Sequence, residues 1–161
     1  MVSCVFPGSF DPVTKGHLDL IARASAIFEH VTVTVMINVR KSGSIPVEKR
    51  ISILKKVCVP YPNVDVDHWE GLLSDYMHDK QERIIIRGLR SSIEMEQEIL
   101  ANSANRMLNS EIETLFLPTD PAFQGISSSA VREISAFGGD ISAFVPESVR
   151  KEIEEILSKK D

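Results

Sequence analysis

Hydrophobic and polar positions change their period repeatedly along this chain. Residues 2–6, Val-Ser-Cys-Val-Phe, form a short apolar run that stops at Pro7-Gly8 and predicts a strand. Leu20, Ile21, Ala24, Ile27 and Phe28 then recur at helical spacing, predicting a helix over 17–28 with these side chains inward. Residues 31–37 alternate valine with threonine, the period of a strand. After the polar stretch 38–46, Val47, Ile51, Leu54 and Cys58 mark one face of a second helix. Residues 64–68 predict a weaker strand and 71–79 a short helix. Three consecutive isoleucines in 83–87 predict a strand buried on both faces, as parallel sheets require. A long helix over 93–108 is expected to turn Ile99, Leu100 and Met107 inward. Residues 112–117 give a fifth strand. Two closing helices cover 128–137 and 149–157, the second with Val149, Ile153, Ile156 and Leu157 on one stripe.

Strand and helix thus alternate, which predicts an α/β fold: one Rossmann-like domain over residues 1–161. Its five-stranded parallel sheet should carry right-handed crossover helices on both faces. Ligands in such sheets gather beyond the carboxyl ends of the strands, where strand order reverses. Chemistry is therefore sought in the loops after strands one, two, four and five.

Composition narrows the partners. The 161 residues are 43% hydrophobic and 25% charged, the balance of a soluble globular chain. No apolar run nears the ~20 residues that cross a bilayer, and the N-terminal segment lacks the basic start of a signal peptide. A cytoplasmic protein without a membrane partner is expected. The net charge of −5 argues against a nucleic-acid backbone as main partner, so any phosphate chemistry must use a few local cations. Cys4 and Cys58 sit in apolar surroundings without metal-ligand spacing and are expected as buried thiols.

The loop after strand one, Pro7-Gly8-Ser9-Phe10-Asp11-Pro12-Val13-Thr14-Lys15-Gly16-His17, carries the densest signal. Gly8 lets the backbone N–H groups of Ser9 and Phe10 approach a phosphate closely. Thr14 is a reasonable N-cap, placing Gly16 and His17 in a first helical turn whose positive end favours an anion. An imidazole there can donate a hydrogen bond to a phosphoryl oxygen gaining charge. Arg87-Gly88-Leu89-Arg90 follows the isoleucine strand with two guanidinium groups suited to phosphate oxygens. Gly125-Ile126-Ser127-Ser128-Ser129-Ala130-Val131-Arg132 opens a helix with hydroxyl and backbone donors for a triphosphate, although a plain cap needs only one serine. Lys41, in the loop after strand two, reads equally as a solvated lysine or a phosphate ligand. Glu98 reads as an exposed helix carboxylate or a ligand contact, and Leu73 as core or an apolar ligand contact.

Gly-Ser-Phe-Asp at 8–11 followed by Thr-Lys-Gly-His at 14–17 resembles the signature of the nucleotidylyltransferase superfamily. Threonine in the first position, together with Arg87-Gly88-Leu89-Arg90, resembles its phosphopantetheine adenylyltransferase branch. The resemblance runs to the closing Phe137-Gly138-Gly139-Asp140-Ile141-Ser142-Ala143-Phe144-Val145-Pro146 stretch. It implies transfer of AMP from ATP to 4′-phosphopantetheine, giving dephospho-coenzyme A and pyrophosphate. It implies catalytic roles for His17, Lys41 and Arg87, and acceptor contacts by Ser9, Lys41, Leu73 and Arg87. The ATP contacts it implies are Ser9, Phe10, His17, Gly88, Leu89, Arg90, Glu98, Phe123, Gln124, Gly125, Ile126, Ser127, Ser128 and Ser129. A homohexamer and feedback binding of coenzyme A are implied as well. Residues 38–41 read Asn-Val-Arg-Lys, a departure from the branch's common Asn-Pro-x-Lys, which leaves open whether Arg40 shares the part of Lys41.

The named groups all handle anions, and none pairs an activated nucleophile with a base, so direct in-line transfer is expected. No carboxylate cluster suggests a dedicated metal cage; Mg2+ is expected to arrive on ATP. The alternatives are nicotinate-mononucleotide adenylyl transfer, glycerol-phosphate cytidylyl transfer, or a nucleotide-binding domain without catalysis.

Overall fold

A computed structural model describes residues 2–38, 40 and 42–158. The strands are β1 (Ser3–Gly8), β2 (His30–Ile37), β3 (Val64–Glu70), β4 (Ile84–Leu89) and β5 (Glu113–Pro118). Between and after them run α1 (Lys15–Ile27), α2 (Val47–Cys58), α3 (Leu73–Asp79), α4 (Ser92–Leu108), α5 (Ser128–Ala136) and α6 (Arg150–Ser158). The sheet order is β3-β2-β1-β4-β5, and every pairing is parallel. Strand order reverses between β1 and β4, so the crevice sought from the sequence opens where the loops after those two strands diverge.

Alternation along each strand assigns two cores. Cys4 and Phe6 of β1, Val31, Val33 and Val35 of β2, and Ile86 of β4 face α1, α2, α5 and α6. Val5 and Ile85 point the other way, against Tyr76 and Met77 of α3. The threonines of β2 also fall on that second face, where Thr34 is fully buried and its hydroxyl lies 3.1 Å from the Tyr76 hydroxyl. A threonine there keeps β propensity while supplying a partner for a buried phenol.

Strand ends differ from expectation in an instructive way. β1 runs on through Pro7 and Gly8, because β2 stays in register with it to Val35. Pro7 gives no N–H to the ladder, yet its carbonyl is used: Arg87 Nη1 donates to it at 2.8 Å. Gly88 lets α1 pack against β4, since a Cβ there would stand 2.3 Å from Leu20 Cδ1.

Helix α4 corrects the expectation for Ile99, Leu100 and Met107. They are 44%, 73% and 88% exposed, and no residue of α4 is fully buried. Apolar periodicity identifies a stripe but not the surface that covers it. Here the stripe turns from the sheet, and polar Glu98, Asn102 and Asn105 line a cavity beside it. Ile27 is likewise exposed, while its neighbour Phe28 fills the core position.

Candidate active site

Helix α1 begins as its sequence predicts, and its cap fixes the chemistry of His17. Thr14 is the N-cap; its hydroxyl accepts the His17 backbone N–H at 3.3 Å. In return, the Thr14 backbone N–H donates to His17 Nδ1 at 3.0 Å. A backbone N–H can only donate, so Nδ1 carries the lone pair and the neutral ring carries its proton on Nε2. Phe10 braces the ring edge-on at 5.0 Å between centroids, and Phe6 stands 6.4 Å away. Phe10 itself holds a left-handed φ of 46°, a strained conformation for a bulky residue, with its side chain buried.

Burial, then the charges of Arg90 and Arg87, lower the His17 pKa from 6.5 to about 4. The folded state therefore holds His17 neutral. Any stability this contributes is full above pH 6.5 and fades as pH falls from there through about 4, where the unfolded chain binds the extra proton first. The kcat/KM profile is accordingly expected to lack a His17 limb near 6.5 and to show its acid limb near 4. An inflection near 6.5 that disappears in His17→Ala would contradict this.

His17 opens into a cleft of about 390 Å³ whose wall also carries Ser9, Arg87, Arg90, Phe123 and the serines at 127–129. Gly8, Gly16, Gly88 and Ile126 line it too. The two guanidinium groups are positioned by carboxylates of α4. Arg87 gives Nε and Nη2 to Glu98 at 2.7 and 2.5 Å and Nη1 to Pro7, so two of its five N–H donors stay uncommitted. Arg90 pairs with Glu94 through its guanidinium and its backbone N–H, and sends Nη1 to the Ile126 carbonyl at 3.0 Å. Burial raises the Glu94 pKa, but the hydrogen bonds from Arg90 outweigh it and hold the carboxyl below its ordinary value.

At the start of α5 the three serines divide their work. Ser127 is the N-cap, accepting the Ala130 N–H at 3.1 Å; Ser128 donates to the Pro12 carbonyl at 2.7 Å; Ser129 receives Arg132 Nη2 at 3.1 Å. The hydroxyl protons of Ser127 and Ser129 and the first-turn backbone N–H groups remain available to an anion.

Of the residues singled out from sequence, Leu73 lines a second cavity that meets the first at Pro7, Gly8, Ser9, Arg87 and Glu98. Leu89, Gln124 and Gly125 do not line either cavity. Leu89 spends its carbonyl on the Thr119 N–H, and Gln124 and Gly125 form an exposed turn at the outer edge. Lys41 lies outside the described residues; Arg40 is exposed and does not line the cleft. Glu94, Thr119 and Arg132 line the cleft without having been singled out. Arg132 was legible as the residue one turn beyond Ser129. Its guanidinium binds Ser129 and the Asp11 carbonyl and, among the described residues, no carboxylate, which leaves its charge uncompensated beside the serines. Cys4 and Cys58 are free and buried, and burial pushes their thiols up to about 12 and about 11, so both are inert as nucleophiles.

An α/β sheet with this crevice, a His at the first helix start and arginines at the end of β4 fits a protein of the cytidylyltransferase-like class, whose family profile matches residues 5–134. A curated phosphopantetheine adenylyltransferase of Clostridium perfringens is 44% identical over 96% of this chain and 94% of its own length. Another, from Cupriavidus taiwanensis, is 43% identical over 99% of both. The chain belongs to the phosphopantetheine adenylyltransferase family. A solved structure described as a nicotinate-nucleotide adenylyltransferase from Vibrio parahaemolyticus superposes with a TM-score of 0.68 over 100% of this chain and 98% of that one. At 14% identity it speaks for the fold alone.

Proposed function

We infer that this chain transfers the adenylyl group of ATP to 4′-phosphopantetheine, forming dephospho-coenzyme A and pyrophosphate. The reading rests on its family and on one observation: the Nε2–H of a neutral His17 and the open donors of Arg87 share a cleft. An oxygen of the acceptor phosphate forms the new bond to the α-phosphorus. The bond from that phosphorus to the bridging oxygen breaks, and pyrophosphate leaves on the opposite side with the electron pair. The chain's task is alignment and charge stabilisation rather than covalent chemistry. His17 donates to the α-phosphoryl oxygen as its charge grows. Arg87, oriented by Glu98, together with Ser9 and Lys41 holds the acceptor phosphate. Arg90, Arg132 and the α5 start hold the β- and γ-phosphates, and Gly88, Phe123 and Ile126 border the nucleotide.

Mg2+ would enter on ATP and neutralise part of the triphosphate charge. Glu94 and Glu98 are the carboxylates lining this cleft among the described residues, and each is engaged by an arginine. The donor set therefore suits a metal carried by phosphates and water rather than a protein cage.

The reaction would run in the cytoplasm; among the described residues no helix is long and apolar enough to cross a membrane. The exposed apolar stripe of α4, with Leu115 nearby in sequence to its end, supports burial against further copies in a homohexamer, readable as mass by sedimentation. Coenzyme A, which shares the acceptor's arm, would compete at the same cleft.

The deciding experiment is an acceptor panel. Pyrophosphate release is expected with ATP and 4′-phosphopantetheine, suppressed by coenzyme A, and not with nicotinate mononucleotide or with CTP and glycerol phosphate. Turnover of either alternative at a comparable rate would overturn the reading, and ATP binding without turnover would support a non-catalytic domain.

A further inference from the structure

Two charged side chains lie behind the cleft without entering it. Asp11 is 7% exposed and Arg50 6%, and neither lines either cavity. Taking a carboxylate or a guanidinium out of water is costly, so the bonds each makes show what it is kept for. Those bonds run to the main chain of the loops after β1 and β2. The Asp11 carboxylate accepts the N–H groups of Ser44 and Ile45, each at 2.7 Å. Arg50 donates Nε to the Ile45 carbonyl at 3.0 Å and Nη1 to the Ser9 carbonyl at 2.9 Å. The second loop is laid close against both charges: a Cβ on Gly43 would stand 2.9 Å from Arg50 Nη2 and 3.3 Å from Asp11 Oδ2. A charged group bonded to main chain in this way fixes the path of the backbone itself.

The clamp bears on both loop groups assigned to the acceptor phosphate. Ser9 lines both cavities, and its own carbonyl is the one that Arg50 holds. Lys41 stands three positions before Ser44 in the chain, so the placing of Ser44 limits where its ammonium can reach. Val39 does not lock φ as a proline would, which leaves the downstream end of the loop to set its path. We propose that Asp11 and Arg50 are positioning residues for adenylyl transfer, holding the loops after β1 and β2 in one register so that Ser9 and Lys41 meet the same phosphate. This rests on the reading that Ser9 and Lys41 hold the acceptor phosphate. Neither Asp11 nor Arg50 touches substrate; both act through the loops they join.

Asp11→Asn keeps the shape of the side chain and the main-chain carbonyl that receives Arg132, but turns one carboxylate oxygen into an NH2 that faces a backbone N–H. The kcat/KM for 4′-phosphopantetheine should fall about 10–10²-fold, the size expected of a misplaced contact, while the dissociation constant of ATP stays within about twofold. A double-mutant cycle with Lys41→Ala separates positioning from general damage. Removing Lys41 from the Asp11→Asn protein should lower kcat/KM by no more than about threefold, well below its effect in the wild type, because the lysine is already out of place.

Losses that multiply, an ATP constant that weakens in step, or an Asp11→Asn protein with wild-type kcat/KM would overturn the clamp. Lys41→Ala without effect in the wild type would instead overturn the reading beneath it, and the clamp with it, so the two failures are distinct. Should Asp11→Asn not fold, Gly43→Ala decides by the same cycle: it removes no charge, but its methyl forces the loop and Arg50 apart.

Discussion

Replacing His17 with alanine is expected to lower kcat by about 10²–10³-fold while ATP affinity stays near that of the wild type. The variant removes a donor whose partner oxygen gains charge only as the reaction proceeds, so the ground-state complex loses little. Because the ring is neutral, no cation is deleted from the triphosphate site; Arg90 and Arg132 remain. The variant also frees the Thr14 N–H from Nδ1 while Thr14 still caps the helix, and one lost hydrogen bond costs about 0.5–1.5 kcal/mol. Melting curves therefore accompany the kinetics. A folded His17→Ala protein within threefold of wild-type turnover would refute the role. A parallel loss in ATP affinity would make His17 a binding residue rather than a transition-state donor.

Arg87→Ala should be comparably severe, through a different parameter. It deletes the guanidinium assigned to the acceptor phosphate and leaves Glu98 without its arginine in the same cleft. The pair is partly open to solvent, so the carboxylate left behind is a smaller loss than the hydrogen bonds to the charged acceptor, which are about 1.5–3 kcal/mol each. A fall on the order of 10²–10³-fold in kcat/KM for 4′-phosphopantetheine is expected, carried mainly by the acceptor KM. Arg87→Met combined with Glu98→Gln should recover part of that loss, because the uncompensated carboxylate is gone. An effect confined to ATP, or a double variant no better than Arg87→Met alone, would contradict this assignment.

Much of this site is written in short-range sequence because its key contacts are local. Thr14 and His17 are three residues apart, and their reciprocal capping follows from that spacing and helix geometry. The Val-Thr alternation of β2 likewise fixes which side chains meet α1 and α2. What escaped are contacts between distant segments. Nothing within α4 reveals that Glu98 lies on Arg87, 11 positions earlier, or that Ile99 and Leu100 turn from the sheet. Both depend on how the helix is rotated over β4 and β5. The serines show the same limit: Ser127 was readable as a cap, but the bond from Ser128 to Pro12 spans 116 positions and exists only in the folded chain.

Asp11 has a consequence of its own. Its buried carboxylate takes the N–H groups of Ser44 and Ile45, each at 2.7 Å, and its carbonyl takes Arg132. Arg50 adds a strut beside it, reaching the Ile45 and Ser9 carbonyls at 3.0 and 2.9 Å. Segments remote in the chain are thereby surveyed from one fixed point, so positional error does not build up along the intervening elements. Evolution can lengthen or shorten outer turns between these anchors while the cleft keeps the sub-ångström tolerance that phosphoryl alignment demands.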